Sequence, residues 1–295
     1  MIRIIMAGAA QEHISFIRKY RSMLPEDFFP QQTGEASAFI ITDDGMPIGF
    51  LSEYQLDMNT AQMNIWFADD VSFESRVSAV SCASERAVKL YMPEKIISVH
   101  AGEGNVKVMN ACRFYRKGLI YQKKTEPLRR LIPNAAFDRE GYLIHQGLTR
   151  KVPFGWFDSG RKGCGWIAAY NLLKINYMEH TMEECIRGLE KTSLLGEVMG
   201  QNEIALQYWL RKQGLNVRRS LPSDHLTKRI IKESRSGILL YTHKAGSHYA
   251  AYRVQEDGRI MLYNAIYGKT DHIADIDRFL ENTSLFPLSS VLYVK

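Results

Sequence analysis

The stretch Gly155-Trp156-Phe157-Asp158-Ser159-Gly160-Arg161-Lys162-Gly163-Cys164-Gly165-Trp166-Ile167-Ala168-Ala169-Tyr170-Asn171-Leu172-Leu173-Lys174-Ile175 passes from turn residues into a helix. From Trp166 onward Ile167, Tyr170 and Leu173, with Leu172 and Ile175 beside them, recur at helical spacing. That period predicts an amphipathic helix with one face in a core. Cys164 then stands at the helix N-terminus or one residue outside it. Free N–H groups and the positive end of the helix dipole favour thiolate over thiol there, the form a sulfur nucleophile needs. Glycines on both sides leave its backbone N–H open, which makes Cys164 an oxyanion donor candidate as well.

A thiol nucleophile needs a base that takes its proton and later protonates the leaving group, and a third residue that fixes the base. Gly237–Tyr241 reads as a strand, 242–247 as a polar turn, and His248 opens the alternating strand HYAAYRV. The turn Glu256-Asp257-Gly258 leads into a strand Arg259–Tyr263 that ends at Asn264. A hairpin centred near 256–257 places His248 and Asn264 opposite or diagonal to one another, about 5 to 8 Å apart. The expectation is therefore Cys164 as nucleophile, His248 as base and acid, and Asn264 as the residue that orients His248. His243 is the rival base, but it lacks a facing Asn. Cys82, Cys112 and Cys185 fall inside helical patterns and read as core thiols.

The order Cys, His, Asn resembles the papain-fold cysteine peptidases, most closely their C39-like branch. The resemblance runs through Gly163–Leu172, through Gly200-Gln201-Asn202 with Leu210 and Gly214, and through His248-Tyr249-Ala250 and Tyr263-Asn264-Ala265. It spans about residues 150 to 295 and implies an α+β domain, with a helix-borne Cys and an antiparallel sheet carrying His and Asn. It also implies attack on a peptide, amide or thioester carbonyl through an acyl-enzyme. The Gln that such enzymes place about six residues before the Cys is replaced by Asp158, beside Ser159, so Ser159 and Asp158 become the side-chain candidates near the oxyanion.

The first part of the chain reads as mixed α/β. Strands are expected at Ile2–Met6, at Ala38–Ile41 and Pro47–Tyr54 around the turn Thr42-Asp43-Asp44-Gly45, at Ala61–Phe67 and at Lys95–His100. Helices are expected at Glu12–Met23, at Ser75–Tyr91 before Pro93, and at Val106–Lys117 before Gly118. Ile48-Gly49-Phe50-Leu51 and Ala111-Cys112-Arg113-Phe114-Tyr115-Arg116-Lys117-Gly118-Leu119 resemble signatures of the acetyl-CoA-dependent N-acyltransferases of the GNAT fold. That resemblance implies acetyl-CoA as a possible cofactor, with Arg76 and Tyr115 as the candidate cofactor-site residues. The family's phosphate turn is glycine-rich so that backbone N–H groups can approach a pyrophosphate. Asp70–Ala79 (DVSFESRVSA) holds no glycine, and the nearby Gly102-Glu103-Gly104-Asn105 is a weak substitute.

The fold expected is thus α/β and α+β: a GNAT-like domain over 1–125, a linker over 126–150 marked by charge, two prolines and turn residues, and a papain-like domain over 151–295. The 295 residues carry a formal charge of +6. The first 150 hold 18 basic against 17 acidic residues and the remainder 20 against 15, spread without a basic tract of the kind that tracks nucleic acid. No apolar run approaches the ~18 residues of a membrane span. Four cysteines without a CxxC pair, and histidines without metal-ligand spacing, exclude a zinc ribbon and a disulfide scaffold and fit a cytoplasmic setting. Function is read first as a cysteine-dependent hydrolase of a peptide, amide or thioester, with no cofactor required. The alternatives are an acyltransferase on the same triad, an acetyl-CoA-dependent N-acetyltransferase in the first domain, and a non-catalytic binding or regulatory protein. Oligomeric state is not legible in the sequence.

Overall fold

The computed structural model describes residues 1–6, 10–25, 27–29, 37–100, 103–191, 202–244, 246–265, 272–284 and 286–295. The chain divides into two compact units, Met1–Glu126 with Arg139–Gly141, and Pro127–Asp138 with Tyr142–Lys295. The fold is α/β in the first and α+β in the second. Gly102, Gly200 and Gln201, singled out above, lie outside the described residues.

In the first unit the strands are β1 (Ile2–Met6), β2 (Ser37–Asp43), β3 (Met46–Asp57), β4 (Thr60–Phe67), β5 (Lys95–Ser98), β6 (Tyr115–Lys117) and β7 (Ile120–Lys124), and the helices are α1 (Gln11–Tyr20), α2 (Phe73–Tyr91) and α3 (Val106–Ala111). They form one sheet in the order β1-β2-β3-β4-β5-β7-β6, with β4 and β5 the parallel pair. Asp44 (φ 46°) and Gly45 (φ 87°) close the β2–β3 hairpin, two positive φ angles in the two-residue turn that Asp-Gly favours. Ser72 caps α2 by accepting the Ser75 N–H at 3.1 Å. The helix expected over 106–117 stops six residues early. Arg113 takes a left-handed φ of 62°, which an α-helix cannot continue, and the chain turns through buried Phe114 into β6.

The second unit carries β8 (Pro153–Phe154), β9 (Phe157–Asp158), β10 (Arg218–Arg219), β11 (Ser236–His243), β12 (Gly246–Val254), β13 (Ile260–Tyr263), β14 (His272–Ala274) and β15 (Ser290–Val294). Its helices are α4 (Ser159–Lys162), α5 (Cys164–Ile175), α6 (Met182–Glu190), α7 (Glu203–Lys212), α8 (Asp224–Glu233) and α9 (Ile276–Thr283). The antiparallel sheet runs β10-β15-β11-β12-β13-β14. Period-2 alternation splits its residues between two cores. Ile238, Tyr249, Ala251, Tyr263 and Leu292 pack with α5, α6 and α7, while Leu239, Tyr241, Ala250, Tyr252 and Leu262 pack with α8 and α9. Residues 126–150 are not a free linker. Ile132, Phe137, Leu143 and Ile144 lie in the first of these cores, and the prolines and turn residues of the segment shape short 3-10 turns that cover it. No helix among the described residues is long and apolar enough to cross a membrane.

Candidate active site

Cys164 is the first residue of α5, as its spacing predicts. Its glycine neighbour has a different duty from the one expected. A Cβ on Gly163 would lie 2.4 Å from the Ser159 carbonyl oxygen and 2.7 Å from Trp166 Nε1, so the glycine is a close-packing residue before it is a catalytic one. Cys164 Sγ accepts the backbone N–H groups of Tyr249, Gly165 and its own residue. Burial nevertheless pushes the thiol pKa up, since these donors do not restore the hydration a thiolate loses. The dipole argument for a resting thiolate is therefore overridden by desolvation.

The β12–β13 register pairs Ala251 with Tyr263 and Val254 with Ile260, which leaves Gly246–Ala250 unpaired by β13 among the described residues. Both the Tyr249 N–H that meets Sγ and the imidazole of His248 belong to this open stretch of edge. His248 Nε2 lies 2.6 Å from the backbone carbonyl oxygen of Asn264. The bond expected from the Asn264 side chain is thus made by its main chain. A left-handed Asn264 (φ 61°) just beyond β13 turns that side chain elsewhere. It accepts the Gln146 N–H at 2.9 Å, and its Nδ2 donates to Gln146 Oε1 at 3.3 Å.

The His248 ring faces Tyr241 at 5.7 Å and His243 at 6.3 Å, and no hydrogen bond joins it to Cys164 Sγ. Burial pushes its pKa down to about 4; the Asn264 carbonyl pulls it the other way, and the neighbouring His243 adds to the fall. Thiol and imidazole are both neutral at pH 7.

The two side chains proposed near the oxyanion are committed elsewhere. Ser159 is fully buried, and its Oγ accepts the Trp166 indole N–H at 3.0 Å. Asp158 caps α4, accepting the Arg161 N–H at 3.1 Å. The residue missed by sequence reasoning is Gln146. Besides its bonds to Asn264, its Nε2 donates to the Gly160 carbonyl at 3.2 Å, so it ties the corner that holds His248 to the turn that leads into Cys164. It lies in the segment read as linker, and no spacing in the sequence marks it.

In the first unit Arg76 is an internal clamp rather than a phosphate ligand. Its guanidinium donates to the Val71, Ala68 and Asp69 carbonyls at 3.0, 2.9 and 3.0 Å and to Asn105 Oδ1 at 3.0 Å. Tyr115 stands on β6, 43% exposed, instead of on a helix. A cavity of about 520 Å³ beside β4 is lined by Phe28, Ile65, Trp66, His100, Arg116 and Tyr121, among others. Among the described residues no cluster of His, Cys, Asp or Glu suits a metal ion.

No protein-family model matches the chain, and no curated protein matches it. Among solved structures, that of the Campylobacter jejuni N-acetyltransferase PseH in complex with acetyl coenzyme A is similar at a TM-score of 0.34 and 12% identity, over 43% of this chain and 100% of that one. A second structure of PseH gives a TM-score of 0.33 at 10% identity, over 42% and 99%.

Proposed function

We propose that the second unit is a cysteine-dependent acyl-transfer enzyme acting on an amide or thioester. The observation that carries this reading is the state of His248. A carbonyl can only accept, so the bond to Asn264 places the ring proton on Nε2 and leaves a lone pair on Nδ1, which makes no hydrogen bond among the described residues. A ring held at one nitrogen and open at the other can serve as a base; His248 shares the Tyr241 face of β12 while Sγ lies on the Tyr249 face, so the proton has to pass around the open end of this strand. Cys164 Sγ would form the bond to the carbonyl carbon while its proton passes to Nδ1. Collapse of the tetrahedral intermediate breaks the bond to the amine or thiol, which leaves with that proton. Water or an amine then releases the acyl group. The N–H groups of Cys164 and Gly165 at the start of α5, which meet Sγ in the free protein, would pass to the oxyanion.

The test is incubation of the full chain with short-chain thioesters, read by intact mass. A single acyl adduct on Cys164 is expected, absent in Cys164→Ser and formed about a hundredfold more slowly in His248→Ala. Added amines then separate hydrolysis from transfer by their products. Absence of an adduct, or turnover that survives Cys164→Ser, sinks the reading.

A second reading places acetyl transfer in the first unit, favoured by the cavity that Trp66, His100 and Tyr121 line. The turn before α2 does not fit the pyrophosphate of acetyl-CoA. It has no glycine, Arg76 holds its carbonyls inward, and Glu74 adds a negative charge to the first turn of the helix. No step is therefore drawn through that cofactor. Excess acetyl-CoA should leave the melting temperature unchanged, whereas a ligand at 100 times its Kd adds about 2.7 kcal/mol. A rise of several degrees would move the chemistry to the first unit.

A further inference from the structure

Period-2 alternation puts Tyr241, His243 and His248 on one face of the β11–β12 hairpin, in which Tyr241 pairs with His248 and His243 with Gly246. His248 is two residues beyond Gly246, so the two histidines are diagonal neighbours, within reach of aromatic side chains. Their ring centroids lie 6.3 Å apart. Tyr241, itself packed on Phe279 of α9, stands 6.2 Å from His243 and 5.7 Å from His248.

His248 is held as a metal ligand is held. Metal-binding histidines as a rule donate their second ring N–H to a carboxylate or a backbone carbonyl, which fixes the tautomer and the orientation of the ring. The Asn264 carbonyl does this for His248 at Nε2. Asn264 follows β13, on one side of β12, and β11 lies on the other. The two nitrogens of an imidazole point nearly opposite ways, so the Nδ1 lone pair turns toward β11, the strand that carries His243. Two imidazoles that share one zinc ion at about 2.0–2.1 Å per nitrogen have centroids about 5–6 Å apart, so a closure of about 1 Å brings this pair into range.

We propose that His243 and His248 bind a divalent transition metal ion that favours imidazole, such as Zn²⁺, with His248 coordinating through Nδ1 and water completing the shell. No group of three or more His, Cys, Asp or Glu suits a metal ion among the described residues, so this is a site that an ion visits and not the seat of a resident cofactor. It lies on the Tyr241 face of β12, opposite the face on which Cys164 packs, and the thiol is no part of it. Its consequence for the reaction rests on the function proposed above. An ion on Nδ1 takes the lone pair that would accept the thiol proton, so acylation of Cys164 stops while the ion is bound.

Calorimetric titration of the full chain with Zn²⁺ and, separately, with Mg²⁺ tests the site. One Zn²⁺ should bind saturably, and Mg²⁺, which prefers oxygen ligands, should not. His243→Ala should weaken Zn²⁺ at least tenfold, and Cys164→Ser should leave it unchanged. Should His243→Ala fail to fold, nitrogen chemical shifts of the wild-type imidazoles read the same contact: Zn²⁺ should move His248 Nδ1 and one nitrogen of His243 far more than those of the other six histidines. No binding, full affinity in a folded His243→Ala, affinity that depends on Cys164, or shifts at other histidines instead overturns the proposal. Acylation should slow in proportion to Zn²⁺ occupancy in the wild type and keep its rate in His243→Ala at the same concentration. Full-rate acylation of the saturated protein also overturns the proposal, because Nδ1 would then be open. If no acylation occurs even without metal, the function proposed above fails, and the calorimetry and the shifts decide the site by themselves.

Discussion

Iodoacetamide should modify Cys164 slowly at pH 7, with a rate that climbs about tenfold per pH unit and does not level off below pH 9, because only the thiolate reacts. The sign follows from burial at both groups. Cys164 is an acid whose pKa is raised above its ordinary value, so it stays a thiol throughout the neutral range. His248 is a base lowered to about 4, so it is already neutral above that pH and offers no imidazolium to hold a thiolate. His248→Ala should leave the alkylation curve of the free protein in place, since no bond joins the ring to Sγ. Peptide mass spectrometry at each pH gives the rate for every cysteine, and Cys82, Cys112 and Cys185, all buried, should lag behind Cys164. A plateau of fast alkylation below pH 7 that disappears in His248→Ala would show a resting thiolate–imidazolium pair. It would also replace a base that acts when substrate arrives with a nucleophile charged in advance.

Much of this site could be read from the chain because local rules act on it directly. Apolar spacing set α5, and the alternation in HYAAYRV together with the Asp257-Gly258 turn set the β12–β13 pairing, so Cys164 and the His248–Asn264 corner fall where residue numbers put them. What could not be read depends on distant partners. The contact between His248 and Asn264 uses a carbonyl, which every residue has and no sequence pattern marks. Ser159 resembles a free hydroxyl until Trp166, seven residues on, claims it. Arg76 has the charge of a phosphate ligand, and only the folded loop supplies the carbonyls that consume it. The 126–150 segment has the polarity and prolines of a linker, yet a few apolar residues spaced through it suffice to bury it.

Asn171 shows the same dependence with the largest consequence for stability. It is fully buried on α5, where burial alone would favour an apolar residue. Its Oδ1 accepts the Leu143 N–H at 2.9 Å and its Nδ2 donates to the Leu143 carbonyl at 2.8 Å. A side-chain amide has the donor and acceptor of a peptide group, so Asn171 pairs with Leu143 as a neighbouring strand would. Asn171→Leu keeps the volume but strands two buried backbone groups at once, at about 1–3 kcal/mol each. The second unit should lose about 4 kcal/mol, roughly 10 °C in melting temperature. Urea unfolding followed by tryptophan emission reports it, since Trp156, Trp166 and Trp209 belong to this unit. A loss below about 1 kcal/mol would mean that water or a shifted backbone can satisfy Leu143, and Asn171 would not be its anchor. A loss of the expected size would bear on the site too. Leu143 lies three residues before Gln146, so the clamp that fixes one end of the 143–146 stretch to α5 supports the contact by which its other end holds Asn264, and through Asn264 the imidazole.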